Sequence, residues 1–352
     1  MYTTESSIEK AQAELGEYKL MLKATSLQPF DQTPPPTPAP EFSQHATPIH
    51  RPPTTGSDSS TRPHTTPVKV ECTVRAQIPT TLGVDMWLHL YRNNADAKEH
   101  LAIVFGNRIR SHSLDCVRGG ETELDLMIRG AYTGRLRPGR ISSRHCSGGT
   151  DYKPNSCMLA SESSSSSSSP TLVRVHSECY TGETTWSARC DCGSQLDDAA
   201  RMTAAAGEGV IVYLRQEGRG IGLADKLRAY NLQDLSLDTV DANLFLGRPS
   251  DARVYGVASA ILLDLGLGKK SAGTQPGSNR GIRLLTNNPE KLSAIQNVIP
   301  VKERVALAPV AWQATGSSSS GDAVDQSPEL YKYSRTKVDR MGHLIGKDDF
   351  KV

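Results

Sequence analysis

Apolar and polar residues alternate in three runs near the front of the ordered pattern, VKVECTVRAQI from Val68, MWLHLYR from Met86 and HLAIVFG from His100. A period of two predicts strands, and their close succession predicts an antiparallel β unit. Further along, short apolar runs take turns with helical patterns. TLVRVH (171–176) precedes a helix near Gln195–Ala206, VIVYL (210–214) precedes one near Leu223–Leu232, and IRLLT (282–286) precedes one opening at Pro289. Another helix is predicted over Val254–Leu265, where Val254, Val257, Ile261, Leu262 and Leu265 share one face suited to core packing. The expected class is α/β, a mixed β-sheet body with flanking helices.

The pattern fails in four places. Residues 1–67 carry at most a short helix, Ile8–Ala24, followed by a stretch dominated by Pro, Thr and Ser; they are expected to form a disordered tail. Three Ser/Gly-rich stretches, 137–170 with its serine run, 267–281 and 313–323, are expected to be loop insertions in a domain spanning 68–347.

Composition narrows the class. The chain has 352 residues, 37% of them hydrophobic, enough for a sizeable core. Its formal charge of +2 argues against broad attraction to nucleic acid or membranes. Seven cysteines are scattered, an odd number, and Cys190 and Cys192 are too close to pair without strain. A reducing compartment follows, and with no apolar signal core at the N-terminus the expected location is cytoplasmic.

Candidate chemistry begins at CYTGETTWSARCDC, Cys179 to Cys192, a C-x10-C-x-C spacing unlike paired structural zinc motifs. Three thiolates leave a zinc tetrahedron one ligand short. His176 can close the site, water can occupy it, or the thiols can be inert core groups without metal. The difference separates a structural staple from a catalyst.

RQEGRGIGL, Arg215–Leu223, joins a predicted strand to a predicted helix; its glycines and Arg215 and Arg219 suit a phosphate cradle, or merely a turn. The charged stretch Asp238–Arg253 shows no helical periodicity. Asp251 and Arg253 in it project to one side of an extended segment, as a base and guanidinium on one substrate or as a solvated ion pair. LLTNNPEKL sets Thr286 at a strand end and Lys291 near a helix start, where α/β sheets bind ligands.

Taken together, RVHSECYTGETTWSARCDCGSQL, RQEGRGIGL, KLRAYNLQD, DTVDAN, SDAR, LLTNNPEK and KVDRMGHLIG resemble GTP cyclohydrolase II, in order, from Arg174 to about Gly346. Nothing in the first 170 residues resembles the dihydroxybutanone-phosphate synthase domain that many relatives carry, so a monofunctional form is expected. The resemblance implies one Zn²⁺ on Cys179, Cys190 and Cys192, with water in the fourth position for attack on C8 of guanine. It implies nucleotide contacts at Arg174, Val175, His176, Ser177, Glu178, Gln195, Glu217, Gly218, Arg219, Thr239, Thr286 and Lys291. Asp251 would be a general base, Tyr230 an aid to ring opening, and Arg253 the nucleophile at the α-phosphorus. A guanidinium stays protonated in proteins, so stabilising phosphoryl charge is physically easier for Arg253 than attacking. Mg²⁺ would accompany the triphosphate, and a homodimer is implied.

The implied reaction converts GTP to 2,5-diamino-6-(5-phospho-ribosylamino)pyrimidin-4(3H)-one, formate and pyrophosphate, the first committed step of riboflavin synthesis. A rival within the family would stop at a formylated product or take another nucleotide, which the presence of Tyr230, Asp251 and Arg253 opposes. A structural-zinc nucleic-acid binder would need a closed metal site and a basic aromatic surface, against 5% aromatic residues here.

Overall fold

The computed structural model describes residues 67–144, 169–268, 281–307 and 328–344. The Ile8–Ala24 helix, the tail up to residue 66, the 313–323 stretch and most of 137–170 and 267–281 lie outside the described residues.

Strands β1 (Val70–Pro79), β2 (Asp85–Asn93), β3 (His100–Phe105), β4 (Thr171–Ser177), β5 (Gly209–Leu214), β6 (Ile282–Leu285) and β7 (Val301–Val305) form one sheet in the order β1-β2-β3-β5-β4-β6-β7. The three alternating runs make the expected antiparallel meander, and β3 joins β5 antiparallel. From β5 onward β4, β6 and β7 run parallel. The sheet is therefore mixed, as the sequence predicts. The helices are α1 (His112–Asp115), α2 (Glu123–Ile128), α3 (Tyr180–Thr184), α4 (Cys192–Ala205), α5 (Leu223–Asp234), α6 (Thr239–Phe245), α7 (Gly256–Asp264), α8 (Pro289–Gln296) and α9 (Pro328–Asp339). Among the described residues no helix is long and apolar enough to cross a membrane.

Central strand β4 shows how the sheet positions chemistry. Successive side chains alternate between faces. Val173 and Val175 enter a core with Val257, Ile261, Leu262 and Ile295, whereas Leu172 packs with Ala199 of α4. Arg174 and His176 share the face of Leu172, so two polar side chains are buried on the α4 side. Each fully buried Ile or Leu of that core contributes roughly 1.5–3 kcal/mol, enough to hold the strand's polar residues in place. At the end of α7, Asp264 accepts from Tyr91 Oη at 2.9 Å, Ser111 Oγ at 2.5 Å and the Ser113 amide at 2.8 Å, tying the meander to the helical layer.

The chain leaves β4 toward β5 on one side, and leaves β6 toward β7 on the other. The carboxyl ends of β4 and β6 thus flank a switch point, the place where open α/β sheets bind ligands.

Three expectations need correction. The helix predicted from Val254 starts at Gly256, and Val254 is 56% exposed, outside the core face that Val257, Ile261, Leu262 and Leu265 do share. The stretch Asp238–Arg253 contains a helix after all: Asp238 caps α6 by accepting from the Val240 and Asp241 amides, both at 2.8 Å, so a cap starts a helix that periodicity does not announce. Strand β7 was not predicted because it is an edge strand whose three central residues, Lys302 to Arg304, are exposed and polar.

Candidate functional site

Where β4 ends, Cys179 follows within two residues; α3 then turns the chain back so that Cys190 and Cys192 approach it. One ligand atom from each cysteine lies within 4.8 Å of the others, and the Cys179 and Cys190 sulfurs are 3.6 Å apart. Two close approaches permit this. A Cβ on Gly182 would stand 2.7 Å from the Cys190 sulfur, and one on Gly193 would stand 2.3 Å from the Gly182 carbonyl oxygen. Among the described residues no fourth His, Cys, Asp or Glu joins the group. Three soft sulfur donors in a small, partly buried cradle suit a thiophilic ion such as zinc.

Electrostatics favours thiolate at Cys179. Hydrogen bonds from Cys190 and Cys192 pull the Cys179 thiol far below its ordinary range, helped by Lys226, whose ammonium donates to its sulfur at 3.2 Å. Hydrogen bonding to the Cys179 sulfur pushes Cys190 up to about 11 and Cys192 well above a free thiol, with burial and thiolate repulsion adding to it. Lys226 also donates to Glu217 Oε1 at 2.9 Å, while Glu217 Oε2 accepts from the Tyr180 amide at 2.6 Å. Glu217 thereby locks the start of α3 to the RQEGRGIGL turn. In that turn Gly218 and Arg219 both take positive φ, 60° and 59°.

His176 is not a member of the sulfur cluster. Its Nε2 lies 2.8 Å from Glu183 Oε1, which also accepts from the Cys179 amide at 2.9 Å; Glu183 Oε2 accepts from Tyr213 Oη at 2.6 Å. A carboxylate partner places the proton on Nε2, leaving buried Nδ1 without a hydrogen-bond partner. Burial lowers the His176 pKa despite Glu183, keeping the ring neutral.

A buried cationic group lies alongside. Arg174 donates to the Leu285 carbonyl at 3.1 Å and to Gln195 Oε1 at 2.9 Å, and its Nε has no partner. Lys291 donates to the Val175 carbonyl at 3.1 Å; burial first, then Arg174 and Arg253, push its ammonium well below the ordinary lysine range. Arg253 and Lys291 stand 5.8 and 5.7 Å from the ring centre of Tyr255, whose hydroxyl is buried and unpartnered. Cations crowded together with unused donors describe a place for an anion.

The remaining candidates divide. Asp251 and Arg253 form a direct ion pair, Arg253 Nε lying 2.9 and 3.0 Å from the two carboxylate oxygens. Burial would raise the Asp251 pKa, but the bonds from Arg253 outweigh it and hold the carboxyl below its usual range. Tyr230 meets the Thr181 hydroxyl at 3.0 Å beside the cysteines. Thr286 accepts from the Asn288 amide at 3.1 Å at the end of β6. Val175 faces the core and offers only its carbonyl, and Ser177 Oγ is buried without a partner.

Two candidates, Glu178 and Thr239, stand apart. Glu178 turns into a cleft of about 510 Å³ with Arg92, Asp96, Lys98 and Arg215, lined by none of the three cysteines. Arg219 contacts Met341 Sδ, and its carbonyl accepts from the Ala252 amide at 2.9 Å, so of the two arginines of the expected cradle Arg219 stays beside Asp251 while Arg215 lines the Glu178 cleft. Thr239 opens α6 and accepts from Gln233 Nε2 at 3.4 Å; among the described residues no hydrogen bond joins it to the other candidates.

Sequence reasoning missed Lys226, Glu183, Tyr213, Asp191, Tyr255 and Lys337. Only Asp191, between two cysteines, and Glu183, four residues after Cys179, carried any local signal.

Comparison with known proteins agrees with this geometry. The family model described as GTP cyclohydrolase II matches residues 150–306. The chain is 50% identical over 291 residues to a GTP cyclohydrolase-2 of Meyerozyma guilliermondii, covering 81% of this chain and 82% of that one. It is 50% identical over 294 residues to a GTP cyclohydrolase-2 of Saccharomyces cerevisiae, with 78% and 80% covered. The riboflavin biosynthesis protein RibBA of Salinispora tropica is 49% identical over 177 residues, half of this chain and 38% of its own length.

Proposed function

The chain belongs to the GTP cyclohydrolase II family, enzymes of riboflavin biosynthesis, and from that premise we propose that it hydrolyses GTP to the 2,5-diamino-6-ribosylamino-pyrimidinone 5′-phosphate, formate and pyrophosphate. One observation carries the reading: three thiols with no fourth protein ligand among the described residues stand beside buried Arg174 and Lys291, neither of which has a carboxylate partner, and beside the half-buried Arg253–Asp251 pair.

Cys179, Cys190 and Cys192 would hold one Zn²⁺, which when bound supplies a Lewis acid for hydrolysis at C8. The chain's own residues do the rest. Arg174, through its free Nε, and Lys291 receive the nucleotide's negative charge. His176, neutral with its Nε2 proton donated to the Glu183 carboxylate, offers Nδ1 as an acceptor. Tyr230 relays or donates a proton as the ring opens. Arg253 exchanges Asp251 for the α-phosphate and stabilises its charge, freeing Asp251 to accept a proton from the attacking water. Mg²⁺ arrives with the triphosphate. Residues 68–347 carry the reaction, so a chain starting at Val68 keeps turnover; the enzyme works in the cytoplasm as a homodimer, without nucleic-acid or membrane partners.

Incubation with GTP and Mg²⁺ tests this. Formate, pyrophosphate and the pyrimidine should appear in equal amounts. Pyrophosphate without formate would favour the relative that stops at a formylated product, and release of neither would favour a structural metal site.

A further inference from the structure

Asp191, between the second and third cysteines, is 4% exposed and keeps its carboxylate away from the sulfurs. Oδ2 accepts from Gln195 Nε2 at 2.6 Å, and Oδ1 accepts from Lys337 Nζ at 2.7 Å. Gln195 in turn holds Arg174 through its Oε1. One carboxylate therefore links the Cys190–Cys192 segment to a candidate nucleotide residue, and its charge is balanced by a lysine 146 residues away in sequence.

Helix α9, which carries that lysine, is not docked by an apolar face. Among its described side chains the buried ones are Ser334 and Lys337, while Leu330 and Val338 are only half-buried. Polar contacts hold it instead. Tyr333 places its hydroxyl 4.0 Å from the Cys192 sulfur, with the Lys337 ammonium 4.1 Å from its ring centre. Arg340 reaches Asp241 at 3.1 Å, Met341 meets Arg219, and the Leu344 amide donates to the Asn287 carbonyl at 2.8 Å. The segment thus runs from the cysteines past the RQEGRGIGL turn to the end of β6. Burying an ammonium is costly unless a partner compensates it, and Asp191 is the partner.

We propose that Lys337 is a positioning residue for the cysteine cluster: by fixing the Asp191 carboxylate, it sets where Cys190, Cys192 and Gln195 stand. This rests on the zinc reading above. Loss of the ammonium would leave a buried carboxylate with one neutral donor, and the loop would shift to rehydrate it.

The test is zinc affinity by chelator competition on purified full-length protein, with circular dichroism to confirm folding. Wild type should hold one zinc. Lys337→Met should weaken zinc binding about 10–100-fold, the range for lost outer-shell partners. Lys337→Arg should recover most of it, and Lys332→Met, on the exposed side of α9, should change nothing. Asp191→Asn combined with Lys337→Met should cost less than the two single losses added together, because both remove one interaction. Wild-type affinity in folded Lys337→Met overturns the proposal. If that variant does not fold, wild-type zinc affinity in folded Asp191→Asn overturns it. Absence of zinc from wild type would overturn the metal reading itself, a distinguishable failure.

Discussion

Tyr230 and Thr181 meet hydroxyl to hydroxyl at 3.0 Å although they lie 49 residues apart, and Thr181 Oγ1 is itself 3.9 Å from the Cys179 sulfur. The phenol is thus tied to the wall of the cysteine site by a short polar chain. Burial raises its pKa, so under the proposed reaction it would act as a donor and not as phenolate. Tyr230→Phe keeps the ring and its packing under Arg189, 5.0 Å from the ring centre, while removing the proton. GTP binding should persist and formate release should slow by about 10²-fold or more, the usual scale for a lost acid or base. Unchanged formate release would remove Tyr230 from the mechanism.

Gly193 offers a test of the cysteine geometry that leaves every sulfur in place. A methyl group there meets the Gly182 carbonyl oxygen at 2.3 Å, a backbone atom with no rotamer to yield. Gly193→Ala should therefore push the Cys192 helix away from α3, and zinc content per chain should fall well below that of wild type. Full zinc occupancy in a folded variant would show that the approach of α3 and α4 does not shape the site.

His89 predicts a pH effect far from the chemistry. It is buried, its Nδ1 faces the Trp87 carbonyl at 3.3 Å, and burial together with Arg75 pushes its pKa down to about 3. The unfolded chain takes up this proton near pH 6.5 and the folded chain does not. Its contribution to stability is therefore present above pH 6.5 and lost progressively from there toward pH 3. At pH 5 the loss is about 2 kcal/mol from this group alone. Thermal denaturation at pH 7 and pH 5 should show a smaller drop in Tm for His89→Gln than for wild type. An equal drop would place the acid sensitivity elsewhere.

Six of the seven strands were legible because their residues repeat every second position or run apolar, as in Val173 and Val175 against Arg174. Helix α6 was not, because its start depends on one carboxylate, Asp238, and not on a stripe. The three cysteines announced themselves by composition and spacing. Their partners did not: Lys226 and Lys337 look like ordinary helix-surface lysines in sequence, and only the tertiary fold brings one to Cys179 and the other to Asp191. Glu178 and Thr239 show the converse, since residues adjacent in a motif or grouped by resemblance turn toward different surroundings.

The central claim is that one open metal site cleaves the ring while a separate phosphate site removes pyrophosphate, and parallel assay of formate and pyrophosphate in Cys190→Ser and Arg253→Ala tests it most directly. Cys190→Ser should lose zinc and abolish formate while keeping part of the pyrophosphate release. Arg253→Ala should keep zinc and depress pyrophosphate release, and its formate output then reports whether phosphate cleavage must come first. Stoichiometric zinc with undiminished formate from Cys190→Ser would contradict the account.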